Sequence, residues 1–462
     1  MRPHESIRLT VCQQNAYNEI FGSLMSGNKT HALMGYAGTG KTTMINKLVL
    51  ALREQNTDVL VTATTNKATA VIASKMPPGT NCQTIHAALG LKVKKDRGKT
   101  TLAPKNDREL PEAGTVVIID ECSMIGVDLM KAIRRDLFDC FVLFVGDPAQ
   151  LPPVGEPVSP SFEVPRRSFL KTVVRQAVGN PIIEAATLLR DLHEGDVDLS
   201  WLHTQRNGND GVFVLDPVKQ RQWMDAAFTS EEFAKDPDAF RYLAFSNKCV
   251  DRINRRIRAK IYGETESPFI AGEKAVAGEM ITSPRGEVTI ANSEVVTVVD
   301  IQRGGRRFEF EKVSGSEAWT AGIPAWRVVL EGDQGKLTAW LPVEPFIVKR
   351  TLGRLESEAE RLDHAMKARG QSSEEENTRW QAWKEISETF CDIKHAYAMT
   401  VHKSQGSTFR RAFVDLGDIM SAADHSGPLV VSQLLYVAAT RASSALMMVN
   451  VPAAMRAEGA AA

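Results

Sequence analysis

The sequence predicts an α/β protein. Two parallel sheets are wrapped by helices, with a small all-β segment and a helical pair set into the second. Three observations lead there. Over the first third, short β-branched and aliphatic runs alternate with helix-period segments, the pattern of a sheet buried on both faces. The alternation returns after Asn180 and again after Phe390. Between these, Gly263–Lys349 is Gly-punctuated and Val-rich with a two-residue period, and Thr351–Phe390 is highly charged with apolar residues at helical spacing.

Taken in order, Thr30–Met34 is a strand that runs into a Gly-rich turn. Thr42–Arg53 is a helix with Ile45, Leu48, Val49 and Leu52 on one face. Val59–Thr62, Val116–Asp120 and Phe141–Val145 are further strands. Leu91–Lys105 interrupts them, with Lys92, Lys94, Lys95, Arg97, Lys99 and Lys105 against Asp96, and Gly98 in the middle. It reads as a small basic hairpin projecting from the first domain, with a solvated loop as the alternative. Arg241–Ser246 is a strand, and Asn247–Lys260 a helix carrying Arg252, Arg255, Arg256, Arg258 and Lys260. Glu287–Ile290, Glu294–Asp300, Ala325–Leu330 and Lys336–Leu341 suggest an antiparallel barrel. Leu355, Ala359, Leu362 and Met366, then Trp380, Trp383 and Ile386, suggest two antiparallel helices broken at Gly370–Ser373. Ala412–Leu416 and Ala445–Val449 resume the α/β pattern, so the barrel and helical pair are insertions.

The chain has 462 residues, enough for about three domains. Lys+Arg and Asp+Glu both number 56, so only local patches can speak for a nucleic-acid partner. Cys12, Cys82, Cys122, Cys140, Cys249 and Cys391 lie singly, with no C-x-x-C pair, which indicates neither a zinc site nor a disulfide framework. Met1–Thr10 lacks the apolar core of a signal peptide, and no apolar run has the length of a membrane span; a cytoplasmic protein is expected.

The chemistry starts at Gly35-Tyr36-Ala37-Gly38-Thr39-Gly40-Lys41-Thr42, a full G-x-x-x-x-G-K-[ST] match between a strand and a helix. Its glycines permit a loop whose backbone N–H groups wrap phosphates. Lys41 brings an ammonium to the β/γ-phosphates, and Thr42 a hydroxyl to Mg²⁺. ATP and Mg²⁺ are the expected cofactors. Asp120-Glu121 ends a buried strand, with Asp120 fit to hold Mg²⁺ and Glu121 to orient or deprotonate the attacking water. Gln150, in Gly146–Pro153, offers a neutral amide to the γ-phosphate and water; taken alone it reads as an exposed turn residue. Arg175 and Arg441 are candidates to neutralise charge on the transferring phosphoryl group, with surface ion pairing as the alternative.

The ordered set resembles the superfamily 1 helicases. It comprises Leu9-Thr10-x-x-Gln13, Gly35–Thr43, Thr62–Thr69, Asp120–Ser123, Gly146–Pro153, Arg175, Met399–Ser407 and Tyr436–Arg441. The branch it most resembles is the RecD-like one (superfamily 1B), and within that the Dda-type phage helicases. Thr400–Phe409 is the clearest marker. The resemblance implies two RecA-like P-loop motor domains, the first over 1–87 and 112–179 and the second over 180–262 and 391–462. A pin-bearing hairpin at 88–111 would be inserted in the first, and an SH3-like barrel with a helical tower at 263–390 in the second.

The resemblance also implies residue roles. Gln13 would read adenine. Gly35, Ala37, Gly38, Thr39, Gly40, Lys41, Thr42, Thr43 and Gly406 would border the nucleotide with Asp120, Glu121 and Gln150, and Arg175 and Arg441 would reach the γ-phosphate. Thr64, Thr65, Asn66, Lys67, Thr84 and His86 from the first domain, and Thr400, His402 and Lys403 from the second, would touch a strand's backbone, contacts that carry no sequence information. It implies 5′→3′ movement on single-stranded DNA, fork and tailed duplexes as substrates, a monomer, single-strand-binding or replisome proteins as partners, and a place in DNA replication, recombination or repair. One departure stands out: Leu91–Leu110 has no aromatic residue to stack on a terminal base pair. Alternatives are a translocase that displaces bound proteins with little unwinding, and an ATP-gated DNA-binding component.

Overall fold

The computed structural model describes residues 8–96, 99–105, 107–173, 180–191, 199, 202–208, 210–283, 289–367 and 374–453. It divides into two compact units, one of Met1–Gly90, Asn106–Gly263 and Tyr397–Ala462, the other of Leu91–Lys105 and Glu264–Ala396.

The first unit holds two six-stranded sheets. In one, Thr30–Gly35 lies between Arg167–Leu170 and Phe141–Gly146, followed outward by Val116–Asp120, Val59–Ala63 and Asn81–Thr84, with every pairing parallel. The unbroken aliphatic runs match this position, since every residue of Phe141–Gly146 is buried. Ile45, Leu48, Val49 and Leu52 of helix Lys41–Glu54 pack onto Leu33, Val61, Ile118 and Leu143. Each such burial contributes roughly 1.5–3 kcal/mol. Parallel pairing brings the carboxyl ends of these strands to one edge, where α/β proteins bind ligands.

In the second sheet, Ala398–Thr400, Phe240–Ala244, Phe409–Asp415, Ala442–Val449 and Asp210–Val214 run parallel, with Gln205–Asn207 antiparallel at the edge. Helix Pro428–Arg441 is apolar nearly all round and sits in this domain's core. The Arg-rich helix, Asn247–Tyr262, keeps its cations at home. Arg256 and Lys260 approach Asp225 at 3.5 and 3.3 Å, and Arg255 donates to its own helix.

The second unit contains a five-stranded antiparallel sheet of Gly335–Pro342, Trp319–Gly332, Val295–Phe310, Lys274–Ala277 and Ile393–His395. Its two long strands run well past the predicted ends at Asp300 and Ala325. Gly304, Gly305, Gly322 and Pro324 read as punctuation along the chain, yet Gly305 pairs with Pro324 inside the ladder. The first helix of the pair begins at Pro345 rather than Thr351, with proline at its opening position. It packs with Glu374–Thr389 over the far end of the long strands, burying Phe308, Phe310, Leu355, Ile386 and Phe390. Trp380 and Trp383 meet edge to face at 6.1 Å, and Trp383 joins that core. Leu91–Asp96 and Lys99–Pro104 form an antiparallel pair whose first strand lies beside helix Glu374–Thr389. The predicted break at Gly370–Ser373, the Glu287 end of one predicted barrel strand, and Arg97 and Gly98 of the basic hairpin lie outside the described residues.

Among the described residues, no helix is long and apolar enough to cross a membrane. All six cysteines are free thiols.

Candidate nucleotide site and nucleic-acid interface

Strand Thr30–Gly35 delivers the phosphate loop. Gly38 and Gly40 both have φ near +79°, open to glycine without strain. Gly35 has no room for a side chain, because a Cβ there would lie 2.8 Å from Thr39 Oγ1 and 3.0 Å from Leu170 Cβ. The loop braces itself: Thr39 Oγ1 donates to the Tyr36 carbonyl at 2.8 Å. Lys41 Nζ reaches across it to the Gly35 and Tyr36 carbonyls at 2.6 and 3.0 Å. Thr42 and Thr43 lie in the first turn of helix Lys41–Glu54, whose start has no side-chain cap. Uncapped N–H groups at a helix start suit an anion.

Gln13 is buried under this loop. It closes a capping box with Thr10 and donates Nε2 to the Thr39 carbonyl at 3.0 Å. Its amide therefore ties the first helix to the loop backbone, a bracing role that the expected adenine contact did not anticipate.

Asp120 and Glu121 emerge two strands away. Desolvation raises the Asp120 carboxyl to about 7; the Glu121 carboxylate adds to this and Lys41 opposes it. Glu121 holds φ +53°, a left-handed conformation costing about 1–3 kcal/mol in a non-glycine residue. The turn is pinned by Ser159 and Ser161, whose hydroxyls each donate to the Cys122 carbonyl at 2.9 Å. Gly146 must stay bare, because its Cβ would stand 2.7 Å from Cys122 Sγ. Among the described residues, no cluster of three or more His, Cys, Asp or Glu could hold a metal. A hydroxyl from Thr42 and a carboxylate from Asp120 suit Mg²⁺, which usually keeps waters and substrate phosphates as its other ligands.

Between these lies Asp147, fully buried at the end of Phe141–Gly146. Its carboxylate accepts from Ala149 N at 3.0 Å and from Tyr436 Oη at 2.6 Å. Burial raises its pKa. Gln150 is buried rather than exposed, and its Oε1 has no partner among the described residues. An unpaired buried acceptor costs about 1–3 kcal/mol, which fits an atom waiting for a nucleotide or water.

The second domain closes the site. An open pocket of about 100 Å³ is lined by Ala37, Gly38, Arg190, Tyr436 and Thr440, among others. The Arg190 guanidinium stacks 4.2 Å from the Tyr36 ring. No pattern along the chain signals the part that Arg190 or Tyr436 plays here. Arg441 is buried, held by the Val437 and Ser407 carbonyls at 3.2 and 3.0 Å and by Thr440 Oγ1 at 3.1 Å. Arg175 lies outside the described residues. Gly406, at φ +72°, abuts Thr65 and Ala68, where a Cβ would come 3.0 Å from Ala68 Cβ. The structure thus sets it against the first domain's expected strand-contact segment.

The strand-contact candidates divide. Thr65 and Thr84 cap short helices, accepting from Ala68 N and Ala87 N at 3.2 and 3.1 Å. Thr400 accepts from Lys403 N at 3.3 Å, and Thr64 donates to Met124 Sδ at 3.4 Å. Asn66 and Lys403 are exposed. Lys67 is committed across the domain boundary: it meets both Asp238 oxygens at 3.2 and 3.1 Å and lies 4.9 Å over the Phe409 ring. Burial lowers the pKa of both His86 and His402. They are neutral near pH 7 and offer hydrogen bonds rather than charge.

The fold and this loop define the class: a P-loop ATPase built from two parallel-sheet domains that meet at the phosphate loop. An AAA domain family model matches residues 8–209, and a UvrD-like helicase C-terminal domain model matches residues 395–449. The ATP-dependent DNA helicase dda of Enterobacteria phage T4 is 26% identical over 456 residues, covering 94% of this chain and 97% of that one. The uncharacterized protein R530 of Acanthamoeba polyphaga mimivirus is 22% identical over 475 residues, covering 91% and 95%. A solved Pif1 helicase, from work on unwinding at forked duplex DNA, superposes with a TM-score of 0.49 at 16% identity, covering 97% and 94%. The two family models and the T4 relative make the chain similar to the Dda-like helicases of superfamily 1B.

Proposed function

We propose that the chain is an ATP-driven motor that moves 5′→3′ along single-stranded DNA and unwinds duplex DNA, with Mg²⁺-dependent hydrolysis as its power source. One observation carries this reading. A single sheet presents nucleotide groups at the ends of Thr30–Gly35, Val116–Asp120 and Phe141–Gly146, and strand-contact candidates at the ends of Val59–Ala63 and Asn81–Thr84. The second domain touches both groups, through Tyr436 on Ala37 and Gly406 against Thr65. Movement between the domains therefore reaches nucleotide and strand together. The T4 relative is itself named an ATP-dependent DNA helicase.

In this reading Lys41 binds the β/γ-phosphates, Thr42 and Asp120 hold Mg²⁺, Glu121 orients water, and Gln150 reads the γ-phosphate. Arg441 completes the site from the second domain, and Arg175 from the first. When bound, Mg²⁺ neutralises charge on the phosphates. The antiparallel pair at Leu91–Pro104 acts as the pin. The five-stranded sheet is the SH3-like barrel, and the helical pair is the tower meeting the pin. A monomer in the cytoplasm, acting on single-stranded, forked or tailed DNA alongside single-strand-binding or replisome proteins, fits this reading.

Matched 5′-tailed and 3′-tailed duplexes with ATP test activity, polarity and pin together. Unwinding of the 5′-tailed substrate alone is expected; equal activity on both tails overturns the polarity. The absence of an aromatic residue in Leu91–Leu110 favours a second reading, a translocase that strips bound proteins with little unwinding. A fork carrying a protein block separates the two.

Affinity for single-stranded DNA is expected to fall as salt rises, by about 0.7 log units per log unit of salt for each phosphate contacted. Lys403, the exposed lysine of the set, alone then gives a slope of roughly −0.7. A flat response in a fluorescence-anisotropy titration overturns the backbone-contact assignment.

A further inference from the structure

Helix Pro428–Arg441 sends one polar group out of its apolar core toward the first domain. The Tyr436 ring is 1% exposed, packed in the cluster that holds Leu151, Leu435 and Val437. Its hydroxyl donates to Asp147 Oδ2 at 2.6 Å and accepts from Ala37 N at 3.0 Å. Both partners belong to the first domain, and the contacts span 289 and 399 residues of sequence.

Each partner sits where nucleotide state would be felt. Ala37 N–H is a backbone donor of the phosphate loop. Asp147 orders the turn that carries Gln150, by accepting from Ala149 N at 3.0 Å. Donation to a carboxylate makes the phenol bond a strong one. A phenol has a single O–H, so the hydroxyl serves the turn as donor and the loop as acceptor at the same time. Tyr436 and Arg441 share one helix, five residues or about 7.5 Å apart along its axis. Displacing the helix by the width of a hydrogen bond therefore moves both. A change in what Ala37 N–H contacts, as when a phosphate enters the loop, alters the same hydroxyl.

We propose that Tyr436 is the positioning residue that links the occupancy of the phosphate loop to the placement of the second domain and of Arg441. The proposal rests on the ATP-driven motor reading. It assigns the hydroxyl, rather than the ring, the task of keeping hydrolysis in step with movement. The ring alone would serve packing.

Tyr436→Phe in the full chain removes the hydroxyl and keeps the ring. ATP turnover is measured with and without single-stranded DNA, and translocation by stopped-flow on the same preparations. The expected result is a KM for ATP within about twofold of wild type, with kcat lowered and ATP consumed per nucleotide moved raised by about fivefold or more, the lower end of ordinary site-to-site coupling. Unchanged kcat and unchanged ATP per nucleotide overturn the proposal and leave the tyrosine a packing residue. Asp147→Asn is the second variant, and it stands in should Tyr436→Phe fold poorly. It weakens the same bond and shifts the same ratio in the same direction. Combined with Tyr436→Phe it adds little, because partners in one hydrogen bond couple. Fully additive effects also overturn the proposal. If the wild type hydrolyses ATP but does not move on DNA, the motor reading falls. The split between kcat and KM without DNA then still decides for or against the role of the hydroxyl.

Discussion

Lys41→Ala is expected to leave less than roughly one-thousandth of wild-type ATP turnover, the scale on which a preorganised charge stabiliser acts. The reason lies in where its ammonium rests. Nζ already spans the loop, on the Gly35 and Tyr36 carbonyls at 2.6 and 3.0 Å. Phosphate oxygens are stronger acceptors than neutral carbonyls, so the ammonium would exchange one set for the other within the same loop. Lys41 also opposes the raised pKa of Asp120 and of Asp147. Removing it takes away a cation that acts on two desolvated carboxyls as well as the phosphate grip. Turnover measured at saturating Mg²⁺ and ATP checks this, and normal hydrolysis by the variant would refute the nucleotide assignment.

Arg441→Ala is expected to lower kcat by about 10³-fold or more, as loss of an arginine finger does, with nucleotide affinity largely kept. Its guanidinium rests on two carbonyls and a hydroxyl of its own domain. Thr440 and Ala442, its chain neighbours, line the pocket beside Ala37 and Gly38. A γ-phosphate offers the guanidinium an anionic acceptor that it can meet bidentately, in place of neutral carbonyl and hydroxyl oxygens. The side chain therefore has a reason to turn toward a loaded site and none to leave its resting place before that. Arg441→Lys restores charge but not the planar fork, and recovers little. A fluorescent-nucleotide titration beside a turnover assay separates the outcomes; loss of binding with kcat intact would give Arg441 a different role.

Local chemistry made part of this site legible. Gly35–Thr42 announces itself because each glycine answers a backbone demand, at Gly38 and Gly40 a positive φ and at Gly35 a close approach. Asp120-Glu121 is legible because it ends a buried aliphatic strand. The long strands of the second unit were cut short because Gly305 and Pro324 look like turn residues until they are seen paired. Thr65 and Thr84 carry hydroxyls suited to a phosphate, yet a hydroxyl at a helix start is equally a cap, and the cap is the use found here.

By itself, the sequence determined the alternation that makes two parallel sheets, the phosphate loop and the acidic strand end. Each depends on residues within a turn or two of one another, so spacing along the chain is enough to specify them. Tertiary structure alone decided what connects them: Tyr436 on Ala37 and Asp147, Lys67 on Asp238, and Gly406 against Thr65. Those contacts join residues 171 to 399 positions apart. Their existence depends on how two separately folded sheets pack, and no local pattern records that.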